Sequence, residues 1–177
     1  MGNSLIRRFA QRKYWLPLAI AGALVFATAG TLTIMAYQQQ MSLPVYLQSF
    51  STPQITVAEL TSGKFKPVIL IDVRSPDEYQ EDHIGNSPLV PFTDIEAGLG
   101  LSQLQAIIKN YEKQNLANPT KPTIVLYCTS GQRSIKANKY LATLSDRGYQ
   151  VLTLTGGITA WRKQVQRSQD LQITFLK

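Results

Sequence analysis

The stretch Thr123-Ile-Val-Leu-Tyr-Cys128-Thr-Ser-Gly-Gln-Arg133-Ser134 restricts the folds open to this chain more than any other. It begins, just after Pro122, as an apolar and β-branched run, the pattern of a strand buried on both faces. It ends in a helical pattern with small or apolar residues at Ala137, Tyr140, Leu141 and Leu144. Between the two lies a turn, Cys128 to Arg133, in which Gly131 is free to take a conformation closed to other residues. A buried strand feeding directly into a helix is the unit of a parallel α/β sheet.

The only cysteine of the chain therefore sits where a strand stops and a helix starts. Backbone N–H groups at such a junction point into the loop, and the helix dipole favours negative charge there. A thiol held there is expected to ionise more easily than a free one. A lone cysteine is usually a small buried hydrophobe. A core cysteine, however, needs neither a glycine turn nor a cation five residues on. The candidate site is thus Cys128 as nucleophile, with Thr129, Ser130, Gly131, Gln132 and Arg133 forming a ring of donors around an anion.

The net charge of +7 says little about nucleic acid. Residues 1–14 hold Arg7, Arg8, Arg12 and Lys13 and no acid, which leaves only +3 for the rest, and no basic run interleaved with aromatics occurs in the globular part. A single cysteine excludes an internal disulfide, a cysteine-built metal site and a CxxC redox pair. No cofactor is expected.

Trp15 to Tyr37 runs for 23 residues without a charge. As a helix it would span roughly 34 Å, the thickness of a bilayer core. Aromatic residues stand at both ends and four cations precede it. The reading is an uncleaved, single-pass anchor at 15–37, with residues 1–14 cytoplasmic and the remainder on the far side of the membrane. Ala27-Thr-Ala29 resembles a signal-peptide cleavage site, but the apolar run continues two turns beyond it. Arg7-Arg8 is a weaker hint of twin-arginine export. Residues 38–53, uncharged and with two prolines, read as a linker lifting the domain off the membrane. Residues 166–177 form a tail without clear pattern.

From Ile55 onward strands alternate with helices. Ile55–Leu60 is a short strand or strand-to-helix turn, and Val68–Ile71 a buried strand. Ser75-Pro76-Asp77-Glu78 carries a capping box and a proline in the first helical position. Leu89-Val90 is a third short strand, and Ser102 with Gln105 marks the start of a further helix. Val151–Thr155 is the last strand, Gly156-Gly157 a tight turn, and Ile158–Val165 a helix. In such sheets the working site lies beyond the carboxyl ends of the strands. Asp72, Arg74, Cys128 and Gly156 all fall there.

Asp72-Val-Arg74, Glu78-Tyr79, His83-Ile84, Cys128-x-x-Gly131-x-Arg133-Ser134 and Leu154-x-Gly156-Gly157-x-x-x-Trp161 together resemble the rhodanese family of sulfurtransferases over residues 54–165. The resemblance implies a five-stranded parallel sheet with helices on both faces. It also implies that Cys128 takes sulfane sulfur from a small anionic donor such as thiosulfate and passes it to cyanide or a thiol. In that reading Arg133, with Lys136 near it, attracts the donor. Asp72 braces Arg133 or the loop backbone, Arg74 pairs with Glu78 in preference to contacting the substrate, and Ser134 supports the loop. His83 is a helix-end or packing residue, with general base as the weaker alternative, and Trp161 belongs to the core. Where the family often reads Gly-His-Ile-Pro-Gly-Ala, this chain has Asp82-His83-Ile84-Gly85-Asn86-Ser87.

Two other functions compete. A rhodanese-like module can hold a partner at the membrane without turnover, although an intact Cys-x-x-Gly-x-Arg loop argues against a pure scaffold. A phosphatase or arsenate reductase on the same fold would need a roomier loop. Here Cys128 to Arg133 holds six residues, whereas the related phosphatase-type enzymes have seven.

Overall fold

A computed structural model describes the backbone of residues 4–65, 67–116 and 120–175, and side chains within 20–166 apart from residues 22, 66 and 117–119. The chain opens with α1 (Ser4–Gln38) and α2 (Leu43–Ser49). Then come β1 (Gln54–Ile55), α3 (Val57–Thr61), β2 (Val68–Asp72), α4 (Pro76–Glu81), α5 (Phe92–Glu96) and α6 (Gly100–Gln114). The last third holds β3 (Thr123–Tyr127), α7 (Gln132–Tyr140), α8 (Ala142–Asp146), β4 (Val151–Leu154) and α9 (Gly157–Phe175).

The strands form one parallel sheet in the order β1-β4-β3-β2. Inner position explains the sequence of β3. It is bonded on both edges and all five of its residues are buried, so only apolar or hydrogen-bonded side chains suit it. Alternation then sorts the side chains between two cores. Ile124, Leu126 and Cys128 join Ile71, Leu104, Leu141 and Leu144 on one face. Val125 and Tyr127 join Ile55, Leu152, Leu154 and Ile158 on the other. Each fully buried aliphatic side chain stabilises the fold by about 1.5–3 kcal/mol before entropy is counted.

The fifth strand expected at Leu89-Val90 shrinks to a bridge among the described residues: Leu89 pairs with Asp72 alone. Asp72 N–H donates to the Pro88 carbonyl at 3.0 Å, and Val90 N–H to the Asp72 carbonyl at 2.8 Å. Pro88 and Pro91 flank this pair and have no N–H to extend the ladder. The helix expected to start at Ser102 begins earlier, at Gly100, and the Ser102 hydroxyl donates back to the Leu99 carbonyl instead of capping. The helix after the cysteine loop breaks at Leu141 into α7 and α8.

The N-terminal expectation needs correcting. α1 forms, but among the described residues no helix is long and apolar enough to cross a membrane. This overturns the single-pass anchor at 15–37 and the localisation built on it, with a cytoplasmic N-terminus and the domain across a membrane. Positions 15–19 of the expected span lie outside the described side chains. The remainder is short, broken by Thr28, Thr31 and Thr33, and its end is held against the domain, with Ala36 only 2% exposed. The stretch 38–53 is not an extended spacer either. It contains α2, whose Val45 is buried and whose Gln48 Nε2 donates to the Ile135 carbonyl of α7 at 3.3 Å. Residues 166–175, read as a patternless tail, continue α9.

Candidate active site

β3 delivers Cys128 to the carboxyl edge of the sheet, and Gly131 turns the chain into α7. Gly131 has φ +108°, a region that favours glycine, and it stands at the N-cap of α7. That conformation directs its N–H back at Cys128 Sγ, 3.1 Å away. The Ser134 hydroxyl lies 3.9 Å from the sulfur and donates to the Gly131 carbonyl at 2.9 Å. The expected ring of amides is thus one N–H and one hydroxyl among the described residues, and Cys128 is only 1% exposed.

The outer part of the loop is fastened from α4. Ser75 and Glu78 form the capping box of that helix, Ser75 Oγ accepting from Glu78 N–H and Glu78 Oε2 accepting from Ser75 N–H. The same carboxylate takes Arg133 in a two-pronged grip, Nη1 to Oε2 at 2.6 Å and Nη2 to Oε1 at 2.7 Å. Thr129 Oγ1 donates to Glu78 Oε1 at 2.7 Å and accepts from Arg133 Nη2 at 2.9 Å. Arg133 holds the Glu78 carboxyl well below the usual carboxylate range, against an opposing effect of burial and with help from Thr129 and Ser75. The guanidinium is raised in turn, first by Glu78, against burial, and further by its nearness to Cys128.

Asp72 and Arg74 do not perform the roles read from the sequence. They pair with each other, at 0% and 2% exposure. Asp72 Oδ1 accepts the Arg74 backbone N–H at 2.9 Å, and Oδ2 accepts Nη2 at 2.7 Å. Arg74 also donates to the Asp82 carboxylate and carbonyl, and Asp82 takes Arg162 of α9 at 2.7 Å. This chain of charges ties β2, the end of α4 and α9 together beneath the site. The Arg74 guanidinium is raised: burial, the largest influence, opposes this, but hydrogen bonds and charge from Asp72 overcome it. Arg133 pairs with Glu78 instead because α4 places that carboxylate beside the loop.

The turn into α9 supports the cysteine loop from behind. Ile158 N–H donates to the Cys128 carbonyl at 2.8 Å and Thr159 N–H to the Thr129 carbonyl at 3.2 Å. Gly157 has φ +55°, and a Cβ there would run into both carbonyls. Tyr127 sends its hydroxyl to the other face, where it accepts from Ile84 N–H at 3.1 Å and meets Ser87 Oγ at 2.6 Å. His83 is exposed and stacks on Tyr79 at 4.3 Å between ring centroids, at the end of α4. Trp161 is half-buried against the second core, and Lys136 is exposed.

Sequence reading missed the residues that cover the loop from the N-terminal side. Gln132 Nε2 donates to the Gln40 carbonyl, and Gln132 Oε1 accepts from Ser42 N–H at 3.1 Å. Met41 packs over Gly131. The mixed, uncharged segment 38–42 carries no periodicity that would have announced this contact.

The profile of the family described as "Rhodanese-like domain" matches residues 53–164. The chain is 37% identical over 116 residues to the probable adenylyltransferase/sulfurtransferase MoeZ of Mycobacterium tuberculosis, an alignment covering 65% of this chain and 25% of that protein. The chain thus spans about a quarter of that relative's length. It is 33% identical over 103 residues to the putative mitochondrial thiosulfate sulfurtransferase of Schizosaccharomyces pombe, covering 57% and 68% of the two chains. Among solved structures, the human single-domain sulfurtransferase aligns with a TM-score of 0.46 at 22% identity, covering 63% of this chain and 96% of that one.

Proposed function

This chain belongs to the rhodanese-like domain family, and on that premise we propose that it is a sulfurtransferase acting through a persulfide on Cys128. The observation that carries the reading is the placement of Cys128 Sγ at a strand end, 3.1 Å from the Gly131 N–H, in a loop braced by Arg133 and Glu78. The Cys128 thiolate attacks the outer sulfur of a donor such as thiosulfate. A bond forms between Sγ and that sulfur, the donor's S–S bond breaks, and its electron pair leaves with sulfite. The negative charge of the persulfide then lies near the Gly131 N–H and the N-terminal end of α7. An acceptor nucleophile, cyanide or a thiol, takes the outer sulfur and returns Cys128 to thiolate. Two half-reactions through one covalent intermediate give ping-pong kinetics.

Arg133 in this reading acts mainly by holding the loop, because both of its η nitrogens are engaged by Glu78. Thr129, Ser130 and Gln132 complete the loop's wall, and Ser134 steadies Gly131. A six-residue loop suits one sulfur atom better than a phosphate. Intact-mass measurement after exposure to thiosulfate tests the proposal: a gain of one sulfur atom that Cys128→Ser abolishes and an added thiol reverses. Absence of any such gain with several sulfane donors overturns it. The near-complete burial of Cys128 favours one second reading, a binding module without turnover. A partner set unchanged by Cys128→Ser, together with no persulfide, would support that reading.

A further inference from the structure

The cysteine loop is closed on two flanks. Glu78 pins Thr129 and Arg133 on one side. On another, Gln40, Met41 and Ser42 lie over Gly131 and Gln132. A third flank, beside Ser130, opens into a cleft of about 360 Å³, within the usual range for small-ligand sites. Gln38, Gln39 and Gln40 line it from the N-terminal segment, and Thr155, Thr159 and Lys163 from the last strand's end and α9. Three of its nine lining residues, Gln38, Gln39 and Gln40, precede the family match at 53–164, so part of this cleft is built from outside the matched domain.

The lining has one sign of charge. Lys163 is its only ionic side chain, is exposed, and takes part in no ion pair among the described residues. The hydroxyl of Thr159 and the amides of Gln38 and Gln39 add neutral hydrogen-bonding groups. A cation with hydroxyl and amide donors around it matches a carboxylate. A thiosulfate-sized donor needs no cleft of this volume. An acceptor does need one, because its body must rest beside the loop while its sulfur reaches Cys128, two residues from Ser130.

We propose that this cleft is the acceptor subsite, selecting a small thiol that carries a carboxylate, with Lys163 as the specificity-determining residue and Gln38 and Gln39 lining the same cleft. The inference rests on the sulfur-transfer reading for its chemistry. The acceptor thiolate attacks the outer persulfide sulfur, a new S–S bond forms, the bond to Sγ breaks, and its electron pair stays on Cys128 as thiolate. One anion enters and one persulfide anion leaves, so no further reactant is needed.

The test uses the full chain, loaded with thiosulfate and discharged by mercaptoacetate or by mercaptoethanol, which are similar in size and differ in charge. Lys163→Met and Gln39→Glu, both at exposed positions, should each lower the discharge rate with mercaptoacetate about three- to fivefold, the range of one exposed ion pair. Loading and discharge by mercaptoethanol should stay as in the wild type. Equal losses with both thiols, or no loss with either, overturn the proposal. A second readout does not depend on turnover. Titration with methylthioacetate, which has no thiol, should shift the backbone amide resonances of Thr159 and Lys163 in the wild type and not in Lys163→Met. If no sulfur loads but these shifts appear, the transfer reading fails and the carboxylate subsite stands. If sulfur loads and no shifts appear, the subsite fails alone.

Discussion

Glu78 and Arg133 lie 55 positions apart in sequence and meet through two hydrogen bonds, of 2.6 and 2.7 Å, each side chain about one third exposed. The carboxylate belongs to a helix cap and the guanidinium to the cysteine loop, so one side chain serves α4 and the site together. Glu78→Gln keeps much of the shape but removes the charge that holds Arg133 and Thr129. We expect a loss of about 1–2 kcal/mol in urea unfolding, with persulfide formation on Cys128 slowed more than the stability loss accounts for. Glu78→Ala, which also removes the capping box, should cost about a further 1 kcal/mol.

The same pair sets a pH dependence. The folded-state pKa of Glu78 lies below its ordinary value of 4.5, so the unfolded chain binds its proton first as pH falls. Its contribution to stability is complete above about pH 4.5 and is lost progressively as pH drops toward the folded-state value. Asp82, lowered chiefly by Arg162 against burial, adds in the same direction. Urea unfolding followed from about pH 6 down to about pH 3 should show a shallower loss of stability in Glu78→Gln than in the wild type. Identical slopes would mean that the pair does not form in solution.

Gly157→Ala should be among the most damaging single changes. Its φ of +55° is strained for alanine, and the added Cβ would meet the carbonyls of Cys128 and Thr129. Backbone on both sides leaves no flexible side chain to yield. The expected cost is more than about 3 kcal/mol, with the cysteine loop displaced. Thermal unfolding checks the first, and the rate of Cys128 alkylation in native buffer checks the second, which should rise.

Tyr127→Phe separates scaffold from chemistry. The lost hydroxyl leaves the Ile84 N–H and the Ser87 hydroxyl without their partner beneath the sheet. A cost of about 1–3 kcal/mol is expected, with persulfide loading per folded molecule unchanged. Burial raises the Tyr127 pKa to about 12, against the hydrogen bonds from Ser87 and Ile84. The unfolded chain therefore ionises first as pH rises past the ordinary value of 10.0, and the wild type should lose stability there in a way the phenylalanine variant does not.

The parts of this architecture that could be read from the sequence are those fixed by local chemistry. The β3 run, the Gly131 turn and the Ser75–Glu78 cap each follow from neighbouring residue types. Long-range charge pairing did not follow. Three acids, Asp72, Glu78 and Asp82, and three arginines, Arg74, Arg133 and Arg162, converge near one sheet edge, and sequence order does not say which meets which. The missing fifth strand depended on two prolines acting together around Leu89. The uncharged 15–37 run was read from its length, its flanking aromatics and the cations before it, none of which signals the burial of Ala36 or the approach of Met35 Sδ to the Tyr46 hydroxyl of α2 at 3.7 Å.

The Asp72–Arg74 pair gives the sharpest test of that convergence. Both side chains are almost wholly buried, and Asp72 accepts from Arg74 through the backbone N–H, Nε and Nη2. Arg74→Met leaves the Asp72 carboxylate in the interior without the guanidinium, while the backbone N–H of residue 74 still donates to it. It also takes from Asp82 two of its donors. The loss should be about 3–5 kcal/mol. Arg74→Lys should recover little of it, because one ammonium cannot meet a carboxylate edge and the Asp82 carbonyl in the same plane. Removing both charges, as in Asp72→Asn with Arg74→Met, should cost clearly less than the sum of the two single changes, since no buried charge is then orphaned. Chemical unfolding of the four proteins closes the cycle. A double variant that is simply additive would show that these two residues are not coupled in the folded chain.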